Sequence, residues 1–266
     1  MGFREGNQLQ KQGEGEEGQE IQGHTGWKEK AQKTSVEAAL VKRLLHTCGS
    51  GRVFAQAHFI ASKAQAMYAL PYKPQFLPNP VDIPLEKYTK SSNPSIVWIG
   101  RWDPVKQIHK ALDVARSLPD FDFHFIGAPS GKSELFRISQ FLVEKYSSFR
   151  NIHILSFVSE EEKRNVLARS WILLNTSARE GLPVTFLEAA AYGASIVSSV
   201  DPDGFASRFG IYVKDANFKA ALKEAVDNEY FKSRGAEAFA HVSKIHKTEI
   251  VIRKHLEIYE KVLNHG

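Results

Sequence analysis

The stretch SWILLNTSAREGLPVTFLEAAAYGASIVSSV, residues 170–200, decides the fold. It reads as strand, loop, helix, strand. Residues 171–174 are an apolar run of buried-strand length, and residues 175–181 are polar loop. Pro183 suits the first helical position, where its missing N–H would be unpaired in any case. Val184, Leu187 and Ala191 then fall at i, i+3 and i+7 on one face, and Gly193 follows as a C-terminal stop. Residues 195–200 are apolar and β-branched enough to make the next strand.

Strand–loop–helix in a parallel sheet brings the helix N-terminus, with its free N–H groups, to the carboxyl edge where such sheets bind ligands. Two carboxylates bracket that helix start. Glu180 lies in the loop before it, and Glu188 sits about 9 Å along the axis from Leu182, at a rise of about 1.5 Å per residue. Carboxylates do not hold phosphate, but they accept hydrogen bonds from sugar hydroxyls. A ligand with hydroxyls at both ends and a diphosphate in the middle fits the layout, and a nucleotide-sugar is such a ligand. On spacing alone, two solvated glutamates flanking an ordinary helix fit equally well.

Outward from this stretch the pattern is β-α repeated. Strands are expected over 95–99, 121–126, 151–155, 171–174, 195–200 and 210–213. Helices are expected over 105–117, 133–146, 160–170, 183–192 and 216–227. Alternation at this spacing argues for an α/β fold with a Rossmann-like doubly wound parallel sheet. A final periodic helix over 246–263 carries Ile252, Leu256, Tyr259 and Leu263 at i, i+4, i+7 and i+11. Upstream, a capped amphipathic helix starts at Ser35, a strand covers 52–59 and a short helix 62–70. Residues 71–84 hold five prolines and read as a stiff connector, with a domain boundary in or just after it. Residues 1–34, rich in Gly, Gln, Glu and Lys, read as a disordered tail. The divisions expected are 1–34, 35–92, 93–245 and 246–266.

At residues 180–199 the chain resembles retaining glycosyltransferases of the B-type fold, the glycosyl transferases group 1 family with its Glu-x7-Glu signature. The resemblance runs from about Gln75 to the C-terminus and includes LPNPVD at 77–82 and IGRWDPVKQ at 99–107. It implies that Glu180 contacts the donor sugar and Glu188 the nucleotide ribose. Arg101 and Lys106 would hold the diphosphate, with Glu180, Arg101 and Lys106 forming the catalytic set. Gly100 and Gly127 would allow close backbone approach. Gly181, Leu182, Pro183 and Val184 would form the loop and helix start under the phosphates, and Phe157–Val158 would meet the base. Two departures stand out. The family's glycine after the lysine is Gln107 here, and 201–204 (DPDG) reads as a turn where the family often has Gly-Gly-x-x-Glu. The resemblance further implies a UDP- or GDP-linked donor, retention of configuration, no metal and no cofactor. It casts this chain as the donor half, with a small incomplete α/β piece in place of an acceptor domain. About 60 structured residues before the donor domain are too few for a complete acceptor half. Transfer by this chain alone is therefore expected to be poor or absent, and the acceptor is open.

Composition narrows the alternatives. An apolar fraction of 42% suffices for a packed core, and the net charge of +5 suits an anionic ligand or an acidic membrane surface. No basic–aromatic stripe argues for nucleic acid. One cysteine, Cys48, leaves no internal disulfide and fits a reducing compartment. No run approaches a membrane span, the polar N-terminus does not read as a signal peptide, and Gly6 breaks the myristoylation pattern. A cytoplasmic protein, peripheral at most, is the expectation. The loop GAPSGKS at 127–133 follows a strand and opens a helix as a P-loop does, but three residues separate its glycines where four are needed. His109, His124 and His153 show no metal spacing. Two other classes stay open: a non-catalytic nucleotide-sugar-binding subunit that partners a separate acceptor domain, and an ATPase using Lys132.

Overall fold

The computed structural model describes residues 53–264, apart from 87 and 130–132. The expected tail, the helix from Ser35, Cys48 and Lys132 all lie outside the described residues. The first described elements form a small parallel unit: β1 (Phe54–Ala55), α1 (His58–Tyr68) and β2 (Gln75–Phe76), with β1 and β2 hydrogen-bonded to each other. Both departures from the sequence expectation here have physical reasons. β2 falls inside the proline-rich stretch because Gln75 and Phe76 lie between prolines and keep their N–H groups. α1 starts four residues earlier than expected because a remote side chain caps it. Asp203 accepts from the backbone N–H of His58 at 2.7 Å and of Phe59 at 2.8 Å.

Then follow β3 (Ser95–Ile99), α2 (Ile108–Arg116), β4 (Asp122–Ile126), α3 (Ser133–Tyr146), β5 (Ile152–Leu155), α4 (Glu160–Arg169), β6 (Ile172–Asn175), α5 (Val184–Ala191) and β7 (Ser195–Ser198). After a 3₁₀ turn (Pro202–Gly204) come α6 (Phe205–Phe209), β8 (Gly210–Tyr212), α7 (Phe218–Asp227), α8 (Tyr230–Ile245) and α9 (Thr248–Asn264). Strands β3 to β8 form one parallel sheet in the spatial order β5-β4-β3-β6-β7-β8. The sheet grows outward from β3 in one direction, then restarts on its other side at β6. The doubly wound α/β fold expected from the sequence is the fold observed.

The strand period of two sends alternate side chains into two cores. Ile96, Trp98, Phe123, Phe125, Ile172 and Leu174 enter one, packed under α2, α3 and α7. Val97, Leu173 and Ile196 enter the other, against Leu167 of α4, Phe186 and Leu187 of α5 and Val242 of α8. α8 is an element the sequence reading missed, although Phe231, Gly235, Ala238 and Val242 recur at helical spacing and are buried. Gly235 permits that packing: a Cβ there would lie 2.2 Å from the carbonyl oxygen of Gly193. In α9 the buried residue is Val251, whereas Ile252, Leu256, Tyr259 and Leu263 are exposed. Among the described residues, no helix is long and apolar enough to cross a membrane.

Candidate functional site

The strand order reverses between β3 and β6, and it is outside the carboxyl ends of strands at such a switch point that doubly wound sheets form a ligand-binding crevice. Two loops meet there. After β3, Asp103 Oδ1 accepts from the backbone N–H of Val105 and of Lys106, each at 3.0 Å, and folds the chain into a tight turn. That turn delays α2 to Ile108, later than periodicity implied, and leaves Gln107 left-handed at φ 50° and ψ 44°. Gln107 thus occupies the backbone region a glycine adopts freely. After β6, Asn175 Oδ1 accepts from the N–H of Ser177 at 3.0 Å, starting the loop that carries Glu180.

Across the crevice Lys106 Nζ forms a direct ion pair with Glu180 Oε1, which also accepts from Ser177 Oγ at 2.6 Å. The lysine and glutamate side chains are 20% and 14% exposed, so each is shielded yet reachable. Gly100 lies beside the lysine stem: a Cβ there would be in ordinary contact with Lys106 Cδ at 3.5 Å, and its tight neighbour would be the Trp98 ring at 3.3 Å. Gly127, at the end of the neighbouring β4, is more constrained. Its φ is +141°, and a Cβ would stand 1.9 Å from the Gly100 carbonyl oxygen. Arg101 does not join this cluster. It is 74% exposed and pairs with Asp103 at 3.4 Å.

A second cluster lies one turn inside α5. Glu188 accepts from Lys163 Nζ at 3.0 Å, and Lys163 also lies 2.8 Å from Glu160. Burial pulls the Lys163 ammonium down, but the two carboxylates outweigh it and hold the group above its ordinary value. Lys163 is set by the first turn of α4, where Ser159 and Glu162 form a reciprocal capping box. Val184 and Glu188 of α5 and Tyr192 at its C-terminal cap, spaced four apart, line a cleft of about 330 Å³ together with Lys163 and Asp82. Lys106, Glu180 and Arg101 do not line that cleft.

Between the two clusters stands the start of α5. Pro183 is its N-cap, at φ −63° and ψ 131°, one position earlier than its expected place inside the helix. Leu182 is buried, and Gly181 packs against the small N-terminal unit, a Cβ there meeting Gln56 Nε2 at 3.2 Å. Phe157 is 91% exposed, and Val158 packs partly on the core under α4 and α5. The sequence reading missed Thr176, Ser177 and Lys163. The first two carry a signal, being hydroxyls directly after a strand at the carboxyl edge. Lys163 had none, since its partner lies 25 residues away. Among the described residues no group of three His, Cys, Asp or Glu could hold a metal ion.

No curated protein sequence matches the chain. Among solved structures, a variant of S. aureus TarM in complex with Fondaparinux, α-GlcNAc-glycerol and UDP matches 79% of this chain and 44% of its own, at TM-score 0.64 and 17% identity. The pneumococcal O-GlcNAc transferase GtfA, in complex with UDP and GlcNAc, matches 80% and 45%, at 0.61 and 16%. Anabaena HepE in complex with UDP-glucose matches 85% and 68%, at 0.66 and 15%. The chain therefore spans less than half the length of TarM or GtfA. The sequence model described as Glycosyl transferases group 1 matches residues 85–229, more than half of the chain, and the chain belongs to that family.

Proposed function

We infer that the β3/β6 crevice binds a nucleoside diphosphate-sugar and that the chain acts as the donor-binding half of a retaining glycosyltransferase. The observation that carries this reading is the Lys106–Glu180 pair at the point where the strand order reverses. Each partner suits one part of such a donor. The lysine is a point charge for the diphosphate, and the carboxylate accepts from hydroxyls of the sugar. The first N–H groups of α5 lack intrahelical partners and face the same anion. Glu188 then takes the ribose hydroxyls. Exposed Phe157 and half-buried Val158 offer a platform for the base, and solvent-facing Arg101 swings onto the outer phosphate. In this reading the backbone of Gly100 and Gly181 approaches the ligand, whereas Gly127 serves close packing against the Gly100 carbonyl and Leu182 packs into the core.

In this reading the reacting bond is the one between the sugar and the diphosphate. Charge builds on the departing phosphate oxygen, and in this reading Lys106, the α5 N–H groups and Arg101, once it swings in, stabilise it without a metal ion. No single element suffices. Micromolar affinity is about −8 kcal/mol, whereas a helix end contributes about 2 kcal/mol at most and one charge-assisted hydrogen bond about 1.5–3 kcal/mol. TarM, GtfA and HepE in complexes with UDP or UDP-glucose favour a uridine donor over a guanosine one.

The test is titration calorimetry with UDP, GDP, ADP and their sugars. Lys106→Ala and Glu188→Ala are each expected to weaken nucleotide binding at least about tenfold, the equivalent of about 1.4 kcal/mol. Unchanged affinity in both refutes the assignment. Robust sugar transfer by the isolated chain refutes only the expectation that it needs a separate acceptor half.

A further inference from the structure

We propose that Thr176 is a positioning residue that holds Gln107 in its left-handed conformation and thereby aims Lys106 at the donor; the functional part of this inference rests on the donor-site reading above. Thr176 is fully buried at the end of β6. A threonine hydroxyl has one proton to give and two lone pairs. Here the proton is shared between the carbonyl oxygens of Lys106, at 2.8 Å, and Gln107, at 3.2 Å. The oxygen in turn accepts from Trp98 Nε1 of β3 at 3.2 Å. Two residues on, the Ala178 N–H donates to the Val105 carbonyl at 2.8 Å. Three consecutive carbonyls, 105 to 107, are therefore pinned by residues 176–178, across the crevice and about 70 positions away in sequence.

The pinned turn needs such pinning. A non-glycine residue at φ 50° is strained by its Cβ, and Gln107 gets no side-chain cap in return. Were the turn to relax into an ordinary conformation, the Lys106 side chain would leave Gly100 and Glu180, because backbone direction sets where a side chain points. Thr176 and Gln107 therefore form a matched pair: the hydroxyl supplies from across the sheet the conformation that a glycine at 107 would take unaided.

The matched pair makes a prediction that a merely structural threonine does not. Thr176→Val is expected to lower the melting temperature by about 6 °C, since a change of about 2–4 °C per kcal/mol is typical of this size. It should also weaken UDP or GDP binding at least about tenfold. Thr176→Ser, which keeps the hydroxyl, restores both. Gln107→Gly is the decisive variant. In the wild type it moves the melting temperature by less than about 2 °C. In the Thr176→Val background it raises it by about 4 °C and returns most of the nucleotide affinity. The remaining deficit belongs to Trp98 Nε1, which valine leaves without an acceptor. Additive effects of the two substitutions, or failure of a folded Thr176→Ser to restore binding, overturn the proposal. If the wild type binds neither nucleotide, the donor reading falls, and the melting temperatures of the four variants alone decide whether Thr176 holds Gln107.

Discussion

Replacing Glu180 by Gln separates the two jobs the crevice is inferred to do. In the wild type the Glu180 carboxylate competes with any incoming phosphate for Lys106 Nζ, since the two side chains are paired directly and both are largely shielded from water. Gln keeps the size and the acceptor oxygen for Ser177 but removes the charge. One charge at about 8 Å from a phosphate is worth about 2 kcal/mol at an effective dielectric constant of about 20. Salt and residual solvent reduce this, so a gain of about 1–1.5 kcal/mol is expected, or about tenfold tighter binding of the bare nucleoside diphosphate. The nucleotide-sugar gains the same term but loses hydrogen bonds from its hydroxyls to a charged acceptor, worth about 1.5–3 kcal/mol. Its affinity should therefore stay level or weaken. The ratio of the two dissociation constants then shifts by about tenfold to a hundredfold against the sugar-bearing ligand. Calorimetry on Glu180→Gln with UDP and UDP-hexose, repeated for GDP, reads both numbers directly. Equal weakening for both ligands would mean that Glu180 only props up the loop. Equal tightening would mean that it does not touch the sugar. Either result refutes the division of labour between Lys106 and Glu180.

Gly127→Ala places a Cβ within 1.9 Å of the Gly100 carbonyl at a φ of +141°, and should cost about 3 kcal/mol or more, about 10 °C by differential scanning calorimetry. Asp203→Ala removes the cap on α1 and should cost about 1–2 kcal/mol, with faster hydrogen exchange at the amides of His58 and Phe59 and little change elsewhere. Burial, aided by the nearby Arg208 and His246, pushes the His241 imidazole down to about 4, and burial beside His153 pushes His124 down to about 4 as well. The unfolded chain takes up these protons near pH 6.5 and the folded chain only near 4, so their contribution to stability is present above 6.5 and lost as pH falls towards 4. Melting temperatures from pH 7 to pH 4 should fall accordingly, and His241→Phe should flatten that slope.

How much of this was legible in the sequence depends on the range of each interaction. Strands β3, β4, β6 and β7 were readable because each is a short apolar or β-branched run of buried-strand length, and the βα alternation pointed to the parallel sheet. Elements stabilised from afar were misplaced. α1 draws its cap from Asp203, 145 positions away, so no local signal marked His58 as its start. α2 begins late because Asp103 first folds the chain into a turn, and the carbonyls of Lys106 and Gln107 behind it accept from the Thr176 hydroxyl just after β6. α8 was local and readable, since its buried positions recur at 231, 235, 238 and 242; the glycine among them obscured a helix that needs it for close packing.

The site divides along the same line. Sequence resemblance could single out Lys106, Glu180 and Glu188 one by one, because each sits in a short motif. It could not say that Lys106 and Glu180 neutralise each other across the crevice, or that Glu188 shares Lys163 with Glu160. Those pairings change what the residues can do. An unpaired lysine would hold any phosphate at full strength and release the product slowly. A lysine already paired gives part of its charge to Glu180, so a bare diphosphate is held less tightly than one whose sugar occupies the carboxylate. Under the proposed donor reading, selection for the intact donor comes from competition between two acceptors for one ammonium group, and the pair that sets up this competition exists only once β3 and β6 lie side by side.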